Sequence, residues 1–310
     1  MNSNIYTPKQ GWLMASLCCL VIGGLSSNAY AKEFKVKYEN LLAADGAGVG
    51  EDSYTLIKNA FGEKSIESPD LYKSNNTSFI HIQEGYDEMV GNHFVFYSDL
   101  ENDKDRDKGK TDRQRNEIKI YDHSSSELQG FKKETMQYRW KFKIEDDFEF
   151  SKNFTHFFQI KAKNVSGKNS KNGGESYPLI TLTAVDRGNG ENEFQLRHNS
   201  GFDKEGNKTH TEKLQRKNLS LITGKWVEIF IQATYKDKGN LVFQIKDVET
   251  GETIVDYKND KLDLWRGEGK EDFSRPKWGI YRSLKDKESL RSEIEIARFA
   301  DFSIKKGKLK

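Results

Sequence analysis

Three stretches of the chain place residues that bind anions or move protons at every second position. Arg113-Gln-Arg-Asn-Glu-Ile-Lys-Ile-Tyr121 spaces Arg113, Arg115, Glu117, Lys119 and Tyr121 by two. Thr155-His-Phe-Phe-Gln-Ile-Lys-Ala162 does the same for Phe157, Gln159 and Lys161, and Lys277-Trp-Gly-Ile-Tyr-Arg282 for Lys277, Gly279 and Tyr281. In an extended strand, residues two apart share a face. Ile118, Ile120, Phe158, Ile160, Ala162, Trp278 and Ile280 take the opposite parity as core, which sends the polar sets to one open face. Guanidinium, ammonium, amide and phenol groups gathered there make an anion-binding groove that contains a proton donor. Gly279 leaves room for a ligand ring to approach the backbone. His156 is close by, but strict alternation turns it to the core unless a bulge or the strand start reorients it. A satisfied strand-start histidine and a general base both remain open for it.

The elements that must position these groups read as β throughout. Period-two segments recur at Phe94–Tyr97, Tyr138–Ile144, Leu179–Thr183, Phe194–Arg197, Trp226–Thr234, Leu241–Ile245 and Ile294–Ile304, in addition to the three above. Many short strands without a long helical period predict a sandwich or a barrel. Only four prolines occur, and the breaks are runs of Gly, Asn, Asp and Lys such as Lys163–Gly174 and Asp186–Glu191, read as exposed loops. Tyr54–Glu88 is the least legible stretch, with a helix predicted over Tyr54–Ala60 and an edge hairpin after it. There is no internal repeat. Trp140, Trp226 and Trp278 read as core or groove wall, and Arg282, pointing away from Tyr281, as part of a structural ion pair.

The N-terminus runs from a polar start with Lys9 into the apolar stretch Leu13–Leu25 and then Ala29-Tyr30-Ala31, the order of a Sec-type bacterial secretion signal. The apolar run is shorter than the ~20 residues that cross a bilayer. The expected organisation is therefore a signal over 1–31 and one domain over 32–310, secreted or periplasmic, with no membrane partner. Both cysteines, Cys18 and Cys19, fall inside the signal, so the mature domain relies on an ordinary core rather than disulfides. A formal charge of +2 in a chain that is 32% charged gives no basic excess for duplex nucleic acid. Any anionic ligand must be met by a local cluster.

The three polar motifs carry a resemblance. Arg115-x-Glu117-x-Lys119, Gln159-Ile-Lys161 and Lys277-x-Gly279-x-Tyr281 resemble, in order, the Arg-x-Glu-x-Arg, Gln-Ile-His and Lys-x-Gly-x-Tyr strands of jelly-roll alginate lyases. The later half, with Gly224-Lys-Trp226 and Gly-Ile-Tyr-Arg282, is similar to the heparinase I-like and glucuronan-lyase-like group of jelly-roll polysaccharide lyases. The likeness spans Asp112–Lys305 and implies an all-β antiparallel sandwich, concanavalin-like, with a concave open groove. It also implies β-elimination on an acidic, uronate-containing polysaccharide. In that scheme Tyr281 is the acid/base, and Arg115 and Gln159 neutralise the uronate carboxylate, assisted by Lys161 or Arg113. Arg113, Glu117, Lys119, Lys161 and Lys277 would contact the polymer, and no metal is required. Two departures matter. Lys119 stands for an arginine and loses its bidentate geometry, and Lys161 stands for the histidine base, which leaves His156, Lys161 and Tyr281 as alternatives for that role.

Other readings compete. The polar faces could be no more than the charged outside of a sheet, and Tyr281 a tyrosine packed at a groove edge. Asp103-x-Asp105-x-Asp107 followed by Gly109 hints at a structural calcium loop, but its glycine and bidentate-acid positions are wrong, which favours a solvated loop. The remaining histidines lack ligand spacing. A retaining glycoside hydrolase needs paired carboxylates, and the strand motif that would supply them is absent. A non-catalytic carbohydrate-binding module expects aromatic platforms where this face offers cations. A monomer acting on an acidic polysaccharide is the expectation.

Overall fold

The computed structural model describes residues 33–310 except 74, 76, 78, 108, 168–173, 189 and 202–210. The expected signal segment, with Cys18 and Cys19, lies outside these residues, as does His210. In chain order the strands are β1 (Phe34–Leu42), β2 (Ile66–Glu67), β3 (Ile82–Asp87), β4 (Gly91–Ser98), β5 (Arg113–Lys119), β6 (Thr135–Ile144), β7 (Thr155–Lys163), β8 (Ile180–Val185), β9 (Glu193–Asn199), β10 (Thr211–Asn218), β11 (Val227–Thr234), β12 (Gly239–Asp247), β13 (Thr253–Leu262), β14 (Phe273–Ser283) and β15 (Glu295–Leu309). A helix, α1 (Ser53–Phe61), lies between β1 and β2.

Two antiparallel sheets result. One runs β13-β12-β11-β6-β15-β4-β3, with β1 added along β15, and the other runs β10-β9-β8-β7-β14-β5-β2. Sequence neighbours are repeatedly separated in space, as when β14 inserts between β7 and β5, so the chain crosses between sheets in the manner of a jelly roll. Among the described residues no helix is long and apolar enough to cross a membrane.

The sandwich forms because each sheet has one apolar face. In β6, Met136, Tyr138, Trp140, Phe142 and Ile144 are buried while Arg139 is exposed. Trp140 stacks on Phe158 of the facing sheet at 4.8 Å, and Trp278 meets Phe302 at 5.4 Å and Phe61 of α1 at 5.7 Å. Such aromatic pairs contribute about 0.5–1.5 kcal/mol each beyond their area. The hydroxyls of Tyr138 and Tyr235 satisfy one another at 2.7 Å inside the core. Helix α1 starts where Asp52 accepts hydrogen bonds from the backbone N–H groups of Tyr54 and Thr55, and it stops at Gly62, whose φ of 97° suits glycine. Trp140, Trp226 and Trp278 are all core residues. Arg282 is buried beside Glu295 (3.5 Å) and receives support from Gln114 (2.9 Å), the structural ion pair expected of it.

One irregularity decides the site. Between β7 and β8 the register steps from His156↔Thr183 directly to Phe158↔Leu182, so Phe157 is an extra residue with no partner on β8. This β-bulge puts Phe157 and Phe158 on the same side. Phe157 is buried against Phe142 and Phe148, at 5.0 and 5.5 Å, and not in the groove as alternation predicts. An aromatic ring gains more by entering the core than regular pairing gains at one position. The consequence is that His156 is turned out to the polar face.

Candidate active site

With the bulge in place, two rows of side chains cross the second sheet. The register aligns Gln195, Thr183, His156, Tyr281 and Arg115 in one row, from β9 to β5. The next row holds Arg197, Thr181, Gln159, Lys277 and Lys119. Over the β7–β9 side lies a cavity of about 220 Å³ lined by Arg113, Phe154, His156, Gln159, Lys161, Thr181, Arg197, Asn199 and Tyr281 among others.

Tyr281 and His156 face each other there with ring centroids 5.9 Å apart, and Phe154 stacks on the imidazole at 4.6 Å. Burial drives the His156 pKa well below the usual histidine range, and Arg197, Arg115 and Lys161 push the same way, so the ring is neutral near pH 7. Its Nδ1 is 2.8 Å from Thr183 Oγ1, which is itself 2.7 Å from Thr181 Oγ1. Burial pushes the Tyr281 phenol up, against the opposite pull of Arg115 and Arg113, so it keeps its proton. Arg113 Nη1 donates to the Tyr281 hydroxyl at 2.9 Å, and the Arg115 guanidinium lies 3.7 Å from the ring centroid. A neutral imidazole beside a protonated phenol is a base next to an acid.

The β5 side is not an open groove. Arg115, Glu117, Lys119 and Lys277 are all nearly inaccessible, tied into an ion cluster whose centre is Glu67 of β2. Glu67 lies 2.5 Å from Lys277, 2.8 Å from Lys119, 2.9 Å from Arg106 and 3.7 Å from Arg115. Lys277 also bonds Glu117 at 2.5 Å, Gln159 donates to the same carboxylate, and Arg115 pairs with Glu117 and with Asp105 (2.7 Å). Burial alone would raise the Glu67 carboxyl, but Lys277, Arg115 and Lys119 outweigh it and hold the group well below its ordinary range. Glu117, Lys119 and Lys277, expected as substrate contacts, are thus buried and ion-paired within the protein, and the Arg115 guanidinium is engaged by Glu117 and Asp105 beneath Tyr281. Paired groups of this kind cannot leave their partners without stranding a buried charge.

Two further expectations change. Asp103 and Asp105 do not sit in a solvated loop: both are buried, Asp103 2.9 Å from His81 and Asp105 on Arg115 and Arg106. Gly279 is required by the backbone. Its φ is 136°, and a Cβ there would lie 2.1 Å from the carbonyl oxygen of Asn116 on β5.

Of the residues singled out from the sequence, the fold gathers Tyr281, His156, Gln159, Lys161 and Arg113 at the cavity. Lys161 has no carboxylate within ion-pair distance among the described residues, and burial with neighbouring cations lowers it to about 7. Glu67, Asp105, Arg197 and Asn199 were missed. Arg197 was legible: Phe194 and Leu196 are core, which sends Gln195 and Arg197 to the polar face. Glu67 was not, because a two-residue strand carries no period.

The fold and this cavity together define a jelly-roll sandwich with a polar cavity over one sheet. The family model described as polysaccharide lyase matches residues 76–295, more than half of the chain, and the chain belongs to that family. It is a polysaccharide lyase. Similar solved structures include the endo-β-1,4-glucuronan lyase from the fungus Trichoderma reesei, at 13% identity and TM-score 0.53, covering 88% of this chain and 96% of that one. The marine PL-14 alginate lyase from Aplysia kurodai matches at 13% identity and TM-score 0.54, covering 87% and 98%. The alginate lyase Aly36B matches at 10% identity and TM-score 0.53, with the same coverages. At such identities the likeness is one of fold. No curated protein matches the chain.

Proposed function

We propose that this polysaccharide lyase cuts an acidic, uronate-containing polymer by β-elimination, with His156 as base and Tyr281 as acid. The observation that carries the reading is the imidazole of His156 facing the phenol of Tyr281 across one cavity, ring centroids 5.9 Å apart, where burial favours the uncharged form of each. With Nδ1–H donating to Thr183, the His156 Nε2 lone pair is free to take the proton alpha to the uronate carboxylate. The electrons of that bond form a double bond to the neighbouring carbon as its glycosidic oxygen departs, and Tyr281 gives that oxygen its proton. The products are an imidazolium and a phenolate, the latter stabilised by Arg113 and by Arg115 beneath the ring. A proton returned through solvent resets the pair.

The alpha proton becomes removable only if the carboxylate charge is neutralised as the enolate forms. Gln159 and Lys161 line the cavity beside His156 and are the groups for this task. A carboxylate next to Lys161 raises its lowered pKa and completes its charge. Arg115 acts on Tyr281 and not on the substrate. The scheme is written through side chains alone, without a metal ion. The glucuronan and alginate lyases with the same fold act, by their names, on uronate polymers, in line with the substrate class proposed. The signal-like segment 1–31 suits a secreted or periplasmic enzyme of one catalytic domain over 32–310.

A panel of uronic polysaccharides incubated with the protein tests the reading. Expected is ultraviolet absorbance from unsaturated uronate ends, rising with the number of new reducing ends. Reducing ends without that absorbance mean hydrolysis, and refute it.

A further inference from the structure

We propose that Arg197, with Asn199 beside it, is a second carboxylate-binding point that reads the sugar next to the cleaved bond, so that the preferred polymer carries uronates on consecutive residues. The inference rests on His156 and Tyr281 being the proton-transfer pair. Arg197 lies on β9 in the row of Gln159, two strands away. At ~4.8 Å per strand, the two backbones are ~10 Å apart, a separation that suits a neighbouring acidic group better than the one held at Gln159 and Lys161.

Arg197 lines the cavity, and among the described residues no carboxylate pairs with its guanidinium. Its Nε donates to Gln195 Oε1 at 2.7 Å, which leaves the two Nη groups as a fork at the cavity wall. The nearby acid, Glu193, is taken by Arg187 at 2.9 Å and by Arg216, and among the described residues no carboxylate lies within ion-pair distance of Arg197. Burial lowers its pKa to about 10. A half-buried guanidinium without a counter-ion is under-compensated in the empty site, and an incoming carboxylate supplies that charge through two parallel N–H···O bonds. Asn199 lines the same cavity and is held in place by hydrogen bonds. Its amide oxygen accepts from Gly201 N at 3.0 Å, which directs the amide NH₂ elsewhere. Its backbone carbonyl accepts from the buried Arg266, which also holds the Tyr177 carbonyl at 2.9 Å.

Arg197→Gln and Arg197→Lys, assayed on a homopolymeric polyuronate and on a polymer alternating uronate with a neutral sugar, test this. On the homopolymer, Arg197→Gln is expected to raise KM about 10- to 100-fold while kcat stays within about 3-fold, the signature of lost binding and not lost chemistry. Arg197→Lys, which keeps the charge but not the fork, should recover part of the loss. On the alternating polymer, which offers Arg197 no carboxylate on the adjacent sugar, the rise in KM caused by Arg197→Gln should be at least about 5-fold smaller than on the homopolymer. An unchanged KM, an equal loss on both polymers, or a fall in kcat at constant KM overturns the proposal while leaving the His156–Tyr281 reading intact. A wild type that forms no unsaturated ends from any polyuronate defeats that reading instead. Calorimetric titration of wild type and Arg197→Gln with a short oligouronate then still decides Arg197, since equal affinities overturn it.

Discussion

Replacing His156 by asparagine separates the possible bases. Among the described residues the imidazole makes one side-chain hydrogen bond, to Thr183, and Thr183 keeps Thr181 as a partner when the ring is lost. Asparagine fits the space and can reach the same hydroxyl, so the cost in stability is about 1 kcal/mol, one net hydrogen bond. In a domain of this size that is a shift in Tm of roughly 2–4 °C. The cost in rate is far larger. Loss of a positioned general base lowers kcat by about 10²- to 10⁴-fold, or about 3–5 kcal/mol of barrier. The pH profile adds a second signature. Because burial and three cations depress the His156 pKa, the wild-type kcat/KM should fall only as pH drops below the ordinary histidine value of ~6.5. That acid limb should vanish in the variant. The assay is the initial rate of unsaturated-end formation across pH, alongside thermal unfolding. A His156→Asn enzyme with wild-type kcat, or with its acid limb retained, refutes the reasoning and transfers the role to Lys161. Lys161→Met is the matching control, expected to lose kcat/KM and keep the limb.

Tyr281→Phe retains the ring under which Arg115 lies but removes the donor, so kcat should fall about 10²-fold or more with KM nearly unchanged, as read by the same absorbance assay. Glu67→Gln leaves Lys119 and Lys277 buried with less counter-charge and should cost about 3–5 kcal/mol in urea unfolding. The same cluster sets acid stability: Glu67 is held well below its ordinary 4.5 and Asp105 is lowered to about 2, so the folded state binds fewer protons than the unfolded one between those values. Stability contributed by the cluster is therefore complete above pH 4.5 and lost as pH falls toward 2, which circular dichroism against pH would follow. Gly279→Ala forces a Cβ onto the Asn116 carbonyl at a φ of 136° and should destabilise by at least ~2 kcal/mol, seen as a lowered urea midpoint without a new slope.

Period-two alternation determined, without coordinates, that the chain is all-β, a sandwich or a barrel, and that Tyr281, Gln159 and Lys161 share one polar face; the antiparallel sandwich came from the family resemblance, and only the structure decided that Trp140 and Trp278 are core and not groove wall. Alternation is a local rule, and it held wherever strands pair regularly. It failed at Phe157, because a bulge is chosen by what the ring meets across the sandwich, Phe142 and Phe148, which are distant in sequence. That single extra residue decided that His156 faces Tyr281. Charge and amide composition marked a cation-rich face but not which of its members are spent. Glu67 and Asp105, from segments without a readable period, bury Arg115, Lys119 and Lys277 in ion pairs and leave Lys161 and Arg197 at the cavity. Which cations are paired depends on carboxylates brought from far along the chain, and only the tertiary structure brings them.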